Sequence, residues 1–401
     1  MELMPGYKRS DVGVIPDDWD VLPLGKLVRS VEYGSAAKSD VRGAVPVLRM
    51  GNLQGGKIDW SDLVYTDDID EINKYTLQPG DVLFNRTNTI DLVGKTSIYE
   101  GGRPAIFAGY LIRINVVPDL LDSRFLNYIL NTEFSRKYSA KVLSVAVGQA
   151  NINGQKLKTY PIPLPPTKTE QEDIAQALSD ADKLLVALDP MIAKKRDLKQ
   201  AAMQQLLTGE TRLPGFNGEW EEKALGEIAT ISKGVQLHSS ETDPDGHIPH
   251  YNGGMQPSSF TTSFNTPANT IAISEGGNSC GFVQFITEPF WCGGHCYAVV
   301  PKSVDNGFLF HALKSQQSAI MGLRVGSGLP NVQKTALGLF KLKFPKDPIE
   351  QTAIADVLSD MDTELSDLER RREKTRTLKQ AMMQELLTGK TRLVEPRGAN
   401  A

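Results

Sequence analysis

The chain has 401 residues, of which 40% are hydrophobic, a mean hydropathy of −0.27 and a formal net charge of −4. This length predicts two or more domains, and no uninterrupted apolar run approaches the roughly 18 residues that a membrane helix needs. The first ten residues lack the apolar core of a secretory signal, and three cysteines give no disulfide framework. We therefore expect a cytoplasmic protein, and the acidic balance argues against a non-specific nucleic-acid coat.

The charge is also balanced within each half. Residues 1–165 carry 19 basic and 19 acidic residues, and residues 214–345 carry 8 and 10. If such a chain binds DNA, local side-chain clusters must read the bases, and partner proteins must supply much of the phosphate contact.

Residues 1–165 are predicted to form a first domain of short strands separated by glycine turns. The predicted strands are 44–50, 81–85, 95–99 and 105–114, followed by a helix over 123–138. We expect a mixed α/β domain with a twisted sheet. Three polar loops carry side chains that can contact base edges and phosphates, and their candidate DNA-binding residues are Arg49, Asn52, Arg86, Thr87, Asn88, Thr89, Gln149, Asn151 and Asn153.

Residues 166–210 are predicted to form a long spacer helix, because apolar residues recur at spacings of four and three from Ile174 to Ile192. About 38 residues would span roughly 57 Å. Thr167 or Thr169 is placed to cap the helix, and Gly209 to stop it. Pro190 predicts a kink or a short break.

Residues 211–345 repeat the pattern of the first domain. Strands are predicted at Thr270–Ser274, 282–286 and 297–300, with a helix over 306–321. The polar loops occupy corresponding places but carry different side chains, and their candidate DNA-binding residues are His250, Asn252, Asn278, Asn331 and Gln333. Each residue taken singly is more often an ordinary turn residue. Parallel placement with changed side chains is what two readers of different half-sites need.

Residues 346–393 are predicted to form a second spacer helix, leaving a tail at 394–401. Residues 350–393 are identical to residues 170–213 at 25 of 44 positions without a gap, at an offset of 180. The repeat extends to Asn151 and Asn331, and Trp19 corresponds to Trp220. The chain is therefore a tandem duplication, and pairing of similar apolar stripes predicts two antiparallel helices related by a pseudo-twofold axis.

The predicted fold class is thus α+β, with two mixed α/β target-recognition domains separated by two long antiparallel helices, one domain at each end. The expected partner-binding residues lie on the helices: Leu178, Leu185, Leu198, Leu206, Leu358, Leu365, Leu378 and Leu386. Duplicated helices alone are equally compatible with a scaffold or with a coiled coil formed with another protein.

No catalytic constellation can be assembled from the sequence. Gly94-Lys95-Thr96 and Gly389-Lys390-Thr391 resemble the end of a phosphate loop but lack its earlier glycine. Cysteines at 280, 292 and 296 lie near His295, yet paired C-x-x-C knuckles are missing, so we favour free buried thiols over a zinc site.

Several short motifs stand outside the repeated helices: Gly13-Val-Ile-Pro16, Trp19, Pro79-Gly80-Asp81 and Ile162-Pro-Leu-Pro-Pro166. Together with the repeated helix segments, they resemble the specificity subunit of a type I restriction-modification system, and the resemblance covers nearly the whole chain. Its most specific part is the twice-occurring Glu-Gln-x-x-Ile-Ala-x-x-Leu-Ser-x-x-Asp, followed by Leu-Lys-Gln and Leu-Leu-Thr-Gly-x-x-Arg-Leu. Pro190 and the shorter second domain with its cysteines depart from the pattern.

This resemblance implies a non-catalytic subunit that recognises a bipartite, asymmetric double-stranded DNA sequence. The conserved helices would act as a ruler and dock two methyltransferase subunits, which use S-adenosylmethionine to methylate adenine. Restriction subunits that use ATP and Mg would join them, and this chain would itself bind no cofactor or metal.

Two alternatives remain open at this stage. One is the recognition subunit of a related system with fused methylase and nuclease activities. The other is a helical protein–protein scaffold that does not read DNA; the unlike polar loops of the two domains favour a reader.

Overall fold

The computed structural model describes residues 5–146, 148–238, 242–243, 245–326, 328 and 330–393. The chain divides into two compact units: unit 1 comprises Met1–Ala187 and Arg372–Ala401, and unit 2 comprises Leu188–Arg371. Each unit holds one predicted domain and one half of each long helix. The tail predicted at 394–401 lies outside the described residues.

The first domain is built on a four-stranded antiparallel sheet in the order Thr96–Ile98, Val82–Asn85, Leu111–Val116, Val28–Tyr33. Its other strands are Tyr7–Ser10, Gly13–Pro16, Asp20–Pro23, Val45–Leu48, Leu53–Gln54, Lys57–Ile58, Val64–Thr66, Thr87–Asn88, Ile106–Phe107, Ser144–Ala146, Gln149–Asn151 and Pro161–Leu164. Its helices are Ile69–Tyr75, Ser123–Leu130, Glu133–Val142 and Gly154–Leu157, with 3₁₀ turns at Leu24–Lys26 and Met50–Asn52.

The second domain has a matching four-stranded antiparallel sheet in the order Val283–Ile286, Thr270–Ser274, Cys296–Pro301, Ala229–Lys233. Its other strands are Trp220–Ala224, Ile248–Tyr251, Ser259–Thr261, Trp291–Cys292 and Lys341–Pro345. Its helices are Leu225–Ile228, Asn306–Ser315, Gln317–Gly322 and Lys334–Gly338. The shared strand order confirms the predicted tandem repeat of two mixed α/β domains.

In each domain a two-stranded antiparallel ribbon joins the entry and the exit of the chain. Asp20–Pro23 pairs with Pro161–Leu164 in the first domain, and Trp220–Ala224 pairs with Lys341–Pro345 in the second. Apart from Tyr7–Ser10 and Gly13–Pro16, which precede the ribbon of the first domain, the rest of each domain is therefore inserted between two neighbouring strands.

Three predicted elements are divided in the structure. The strand expected over 105–114 becomes two strands in different sheets, because the amide of Ala108 donates to Leu48 and the chain turns at Gly109. The helix expected over 123–138 breaks where Thr132 caps a new helix by accepting from the amide of Ser135. The helix expected over 306–321 divides at Gln316, which begins a second helix without a capping hydrogen bond from its side chain.

The spacer helices extend over Lys168–Leu206 and Pro348–Leu386, with 39 residues each. Thr167 caps the first, since its hydroxyl accepts from the amide of Glu170. Of the kink or short break expected at Pro190, the break is absent because the helix continues through it, and the kink stays a prediction.

The predicted helix stops are confirmed in both copies of the repeat. Gly209 and Gly389 have φ values of +74° and +69°, in the left-handed region that glycine adopts at low cost. A Cβ on Gly209 would lie 3.1 Å from the ring of Trp220, and one on Gly389 would lie 3.0 Å from the ring of Trp19. Close packing on a tryptophan is a second reason for glycine here.

Within each unit the two helix halves run antiparallel and are joined by ion pairs at repeated positions. In unit 1, Lys379 lies 2.6 Å from Asp182. In unit 2, the repeat-equivalent Lys199 pairs with Asp362. Each pair joins residues of opposite repeats, as antiparallel packing of duplicated helices requires.

A buried ion pair closes unit 2 where the second spacer helix begins. Glu350 has a relative exposure of 0% and accepts two bonds from Arg212, from Nε and Nη2, each 2.5 Å long. The Arg212 guanidinium lies 5.6 Å from the centre of the Trp220 ring. We call this Glu–Arg–Trp arrangement the clasp of unit 2.

Unit 1 has the same clasp, formed by the repeat-equivalent residues. Arg392 pairs through two nitrogens with Glu170, which is 1% exposed, and lies 5.9 Å from the ring centre of Trp19. Asp18 adds a further contact at 3.0 Å. In both units the arginine ends one repeat and the glutamate begins the spacer helix of the other.

Four of the eight leucines expected to bind partners are buried inside their own units. Leu178, Leu206, Leu358 and Leu386 pack into the two domain cores, with exposures of 0–7%. The physical reason is that the apolar stripe at each helix end seats the helix on its own domain. Exposed leucines are found at the equivalent positions Leu198 and Leu378, and Leu185 and Leu365 are half-buried.

None of the helices in the described part of the chain carries an apolar stretch sufficient to span a membrane.

Replacing Arg212 with leucine should destabilise unit 2 by about 3–5 kcal/mol, because Glu350 would remain buried without a counter-charge. The matched control is Arg370→Leu on an exposed arginine that pairs within its own helix, with an expected change below about 0.5 kcal/mol. Urea unfolding of the variants measures both. The double variant Arg212→Leu/Glu350→Leu should recover much of the loss, and an unchanged midpoint in the single variant would contradict a stabilising clasp.

Unit 2 should also lose stability between pH 6.5 and pH 4. His311 is 1% exposed, contacts Ser359 at 3.1 Å, and burial lowers its pKa from 6.5 to about 4. The folded state therefore keeps the imidazole neutral while the unfolded chain takes up a proton as the pH falls, which removes up to about 3 kcal/mol below pH 4 and nothing above pH 6.5. Melting temperatures of His311→Gln should fall less over this interval than those of the unaltered chain; parallel curves would refute the assignment.

Candidate nucleic-acid interface

The central strand of the first domain sheet ends at a polar position. Val82–Asn85 is buried throughout and leads directly into Arg86. The amide of Arg86 donates to the carbonyl of Tyr110 at 3.0 Å, and its carbonyl accepts from the amide of Ile152 at 2.9 Å. The backbone of Arg86 is therefore fixed from both sides.

The second domain holds Glu275 in the same backbone setting. The buried strand Thr270–Ser274 leads into Glu275, whose amide donates to His295 at 2.9 Å and whose carbonyl accepts from Val332 at 2.8 Å. The predicted equivalence of the two loops is thus seen in the backbone hydrogen bonds, with Arg86 and Glu275 at one position.

The side chain of Arg86 lies against an aromatic ring. Its guanidinium carbon is 4.6 Å from the ring centre of Tyr33, and Nη1 donates to the carbonyl of Gly109 at 3.2 Å. The ring and the carbonyl orient the guanidinium while leaving it partly accessible.

Two of the predicted loops of the first domain come together beside Arg86. Thr87–Asn88 pairs antiparallel with Gln149–Asn151, and Asn151 Nδ2 donates to Thr87 Oγ1 at 2.7 Å. Thr89 and Gln149 are exposed, and Asn88 is partly exposed. These residues form one continuous polar edge, whose pairing was not evident from the sequence.

The remaining candidates of the first domain have local structural contacts. Asn52 is 3% exposed, and its side-chain amide donates to the carbonyls of Asp59 and Asp62 at 2.9 Å, so it braces a loop from inside. Asn153 caps Gly154–Leu157 by accepting from the amide of Lys156. Arg49 is 3.0 Å from Asp62 and remains partly exposed.

A cleft of about 480 Å³ lies beside Glu275 in the second domain and includes Lys233, Asn252, His295 and Asn331. Asn252 and Asn331 were predicted from the sequence. Lys233, Glu275 and His295 also line the cleft but were not among the predicted DNA-binding residues, because a glutamate has no donor for base edges and His295 lies beside the cysteines that suggested a zinc site. Their signal in the sequence is that Glu275 immediately follows a buried strand, as Arg86 does.

Three other candidates of the second domain occupy different surroundings. His250 lies inside the domain at 4% exposure, with Nδ1 2.8 Å from Ser259 Oγ. The strand pairing makes Asn252 the repeat equivalent of Arg49. Asn278 is exposed, as is Gln333, which precedes the helix Lys334–Gly338.

The cysteines considered as zinc ligands are buried as free thiols. Cys280, Cys292 and Cys296 are 0–2% exposed, and Cys292 Sγ lies 3.5 Å from the carbonyl oxygen of Cys296. Among the described residues, no group of three or more histidine, cysteine or acidic side chains is placed to hold a metal ion.

The family model for the type I restriction modification DNA specificity domain matches the chain twice, at residues 16–193 and 217–376. The chain belongs to this family. It is a type I specificity subunit whose function is the recognition of a DNA sequence, as the resemblance in the repeated helix motif indicated.

Full-length similarity extends to a protein named as the MjaX type I restriction enzyme specificity subunit of Methanocaldococcus jannaschii. It is 29% identical over 421 residues, covering 96% of this chain and 97% of that protein. A type I specificity subunit of Mycoplasma pneumoniae is 34% identical over 175 residues, covering 43% of this chain and 46% of that one.

The fold is similar to the crystal structure of a type I restriction-modification S subunit from M. genitalium. The TM-score is 0.71 at 20% identity, covering 96% of this chain and 98% of that one. The two-domain, two-helix fold is thus found in a solved structure of a similarly named subunit.

Replacing Arg86 with alanine should weaken binding of the target DNA by about tenfold or more, since a bidentate arginine contact to a base contributes 1–3 kcal/mol. Arg103→Ala is a suitable control, because Arg103 stacks on Trp60 beyond the other end of the same strands. Fluorescence anisotropy with a target duplex measures both affinities. Equal losses, or a lowered melting temperature in Arg86→Ala alone, would contradict a direct contact.

Proposed function

We propose that this subunit recognises a bipartite, asymmetric DNA target, with each domain reading one half. The observation that carries the proposal is the equivalent position of Arg86 and Glu275, where an identical backbone setting presents a donor in one domain and an acceptor in the other. Two domains that present different side chains from the same backbone position would recognise different half-sites. The subunit itself is proposed to be non-catalytic.

We propose further that two copies of one methyltransferase subunit dock on the spacer helices. A groove of about 510 Å³ in unit 2 is lined by Gln200, Met203, Gln204 and Thr208. A groove of about 530 Å³ in unit 1 is lined by the repeat-equivalent set, which is Gln380, Met383, Gln384 and Thr388.

The surroundings of the two grooves also correspond. Each groove is bounded by the junction between two domain helices, at residues 314–316 in unit 2 and at residues 131–133 in unit 1. Leu198 and Leu378 are exposed two residues before the groove-lining glutamines. Two grooves of the same chemistry favour two identical partners over two different ones.

In this proposal the chemistry is supplied by the partners. The methyltransferase subunits would use S-adenosylmethionine to methylate adenine, and restriction subunits joining the complex would use ATP and Mg. The three free, buried cysteines support an assembly that works in the reducing cytoplasm.

Exchange of residues 1–160 for the same region of a related subunit tests the division of the target. One half of the methylated sequence should change and the other half should stay as it was. Genome-wide mapping of methylated adenine, with and without the subunit, gives the measurement. Change in both halves, or in neither, would show that the domains do not read independently.

Filling a groove should remove one partner subunit from the assembly. Gln204→Arg and Gln384→Arg each place a long charged side chain in one groove, and the double variant places one in both. Native mass spectrometry should show one methyltransferase subunit bound to each single variant and none to the double variant. Met191→Arg, at an exposed position of the first spacer helix, should retain two; the same stoichiometry in all variants would refute docking in the grooves.

A further inference from the structure

The cleft of the second domain differs from the first domain by an exchange of charge between two strands. Position 86 of the first domain is an arginine that lies on Tyr33, the last residue of the edge strand Val28–Tyr33. In the second domain Glu275 takes the place of that arginine, and Lys233 ends the equivalent strand. In the second domain the positively charged side chain therefore lies at the end of the edge strand, and a negatively charged side chain lies at the end of the central strand.

Glu275 is held rigidly in the second domain. Its Oε1 accepts from Lys233 Nζ at 2.6 Å and from the hydroxyl of Tyr297 at 3.0 Å, while Oε2 is 3.4 Å from His295 Nδ1. Tyr297 is 2% exposed, and its hydroxyl oxygen also lies 3.1 Å from the carbonyl oxygen of Val332.

The charge balance at Glu275 favours an ionised acceptor. Burial raises its pKa, but hydrogen bonds from Lys233 and Tyr297 more than offset this and hold the pKa below its ordinary value. The side chain keeps 14% exposure, and Lys233 keeps 50%. The cleft thus presents one fixed carboxylate beside one accessible ammonium group.

A carboxylate in a DNA-reading cleft cannot grip the backbone, because phosphates repel it and it has no proton to donate. Its favourable partners on DNA are exocyclic amino groups on base edges, and glutamate commonly accepts from N4 of cytosine. The neighbouring lysine donates to acceptors such as O6 and N7 of guanine. Acceptor and donor lie side by side, as the cytosine amino group and guanine O6 do on the major-groove edge of one C·G pair.

An adenine would be a poorer partner for the same carboxylate. On the major-groove edge the N6 amino group of adenine lies between two acceptors, N7 of the same base and O4 of the paired thymine, and one lysine can satisfy only one of them. The N4 amino group of cytosine has a single neighbouring acceptor, O6 of its paired guanine, and Lys233 can satisfy it.

Building on the proposed function, we propose that Glu275 and Lys233 read one C·G base pair in the half-site of the second domain. Glu275 accepts from N4 of cytosine and Lys233 donates to guanine of the same pair. His295 and Asn252 line the same cleft, where Asn252 Oδ1 accepts from the amide of His295 at 3.1 Å and fixes that loop.

The test uses the full-length subunit assembled with its methyltransferase and a library of duplexes, with methylated adenines mapped by sequencing. In Glu275→Gln, discrimination for cytosine at one position of the second-domain half-site should fall by about tenfold or more, and adenine should become accepted there, since an amide pairs with both N6 and N7 of adenine. The half-site of the first domain should remain unchanged. Glu288→Gln, on an exposed glutamate of the same domain, should leave the whole target unchanged.

Lys233→Met provides the second variant and should relax the same position. If Glu275→Gln lowers the melting temperature, the Lys233→Met result decides: relaxation confined to that position supports the inference, and an unchanged target overturns it. A second-domain half-site without a C·G pair, or retained cytosine discrimination in a stable Glu275→Gln subunit, also overturns it. If the target of the unaltered subunit has only one half-site, the proposed function itself is contradicted.

Discussion

The structure depends on two buried carboxylates whose counter-charges come from the opposite repeat. Glu170 and Glu350 are almost completely excluded from water, and each is neutralised by an arginine that ends the other copy of the duplicated segment. A buried carboxylate without its partner is strongly destabilising, whereas the complete pair is tolerated. Each repeat therefore depends on the other repeat for the arginine that neutralises its buried glutamate. This requirement explains why the helix ends are kept so similar while the domains between them have diverged.

The two domains carry different side chains at the end of one central strand of each sheet. The backbone hydrogen bonds around Arg86 and Glu275 are the same, so the frame is preserved, but the side chains have opposite charge. Hydrogen bonds of the backbone hold the position without constraining what the side chain is. The side chain at this position can therefore change without loss of these backbone hydrogen bonds.

Much of the fold could be predicted from the sequence because repetition and periodicity act over long stretches. The helices, their glycine stops and the antiparallel pairing followed from the 180-residue offset. Local breaks could not be predicted: the turn at Gly109 depends on a hydrogen bond from Ala108 to a distant strand. The site was predicted in outline only, since burial decides the role of each polar residue. Asn52 and Asn151 look alike in sequence, yet one braces a loop and the other lies in the polar edge.

The two-stranded ribbon at the base of each domain has a consequence for how such proteins can evolve. Because the chain enters and leaves each domain through adjacent antiparallel strands, the distance across the attachment is the same whatever lies between them. A segment of different length and origin can therefore replace the residues between the two strands without displacing the helix that follows. If each domain reads its own half of the target, as proposed above, a new sequence preference can be acquired whole by recombination instead of residue by residue.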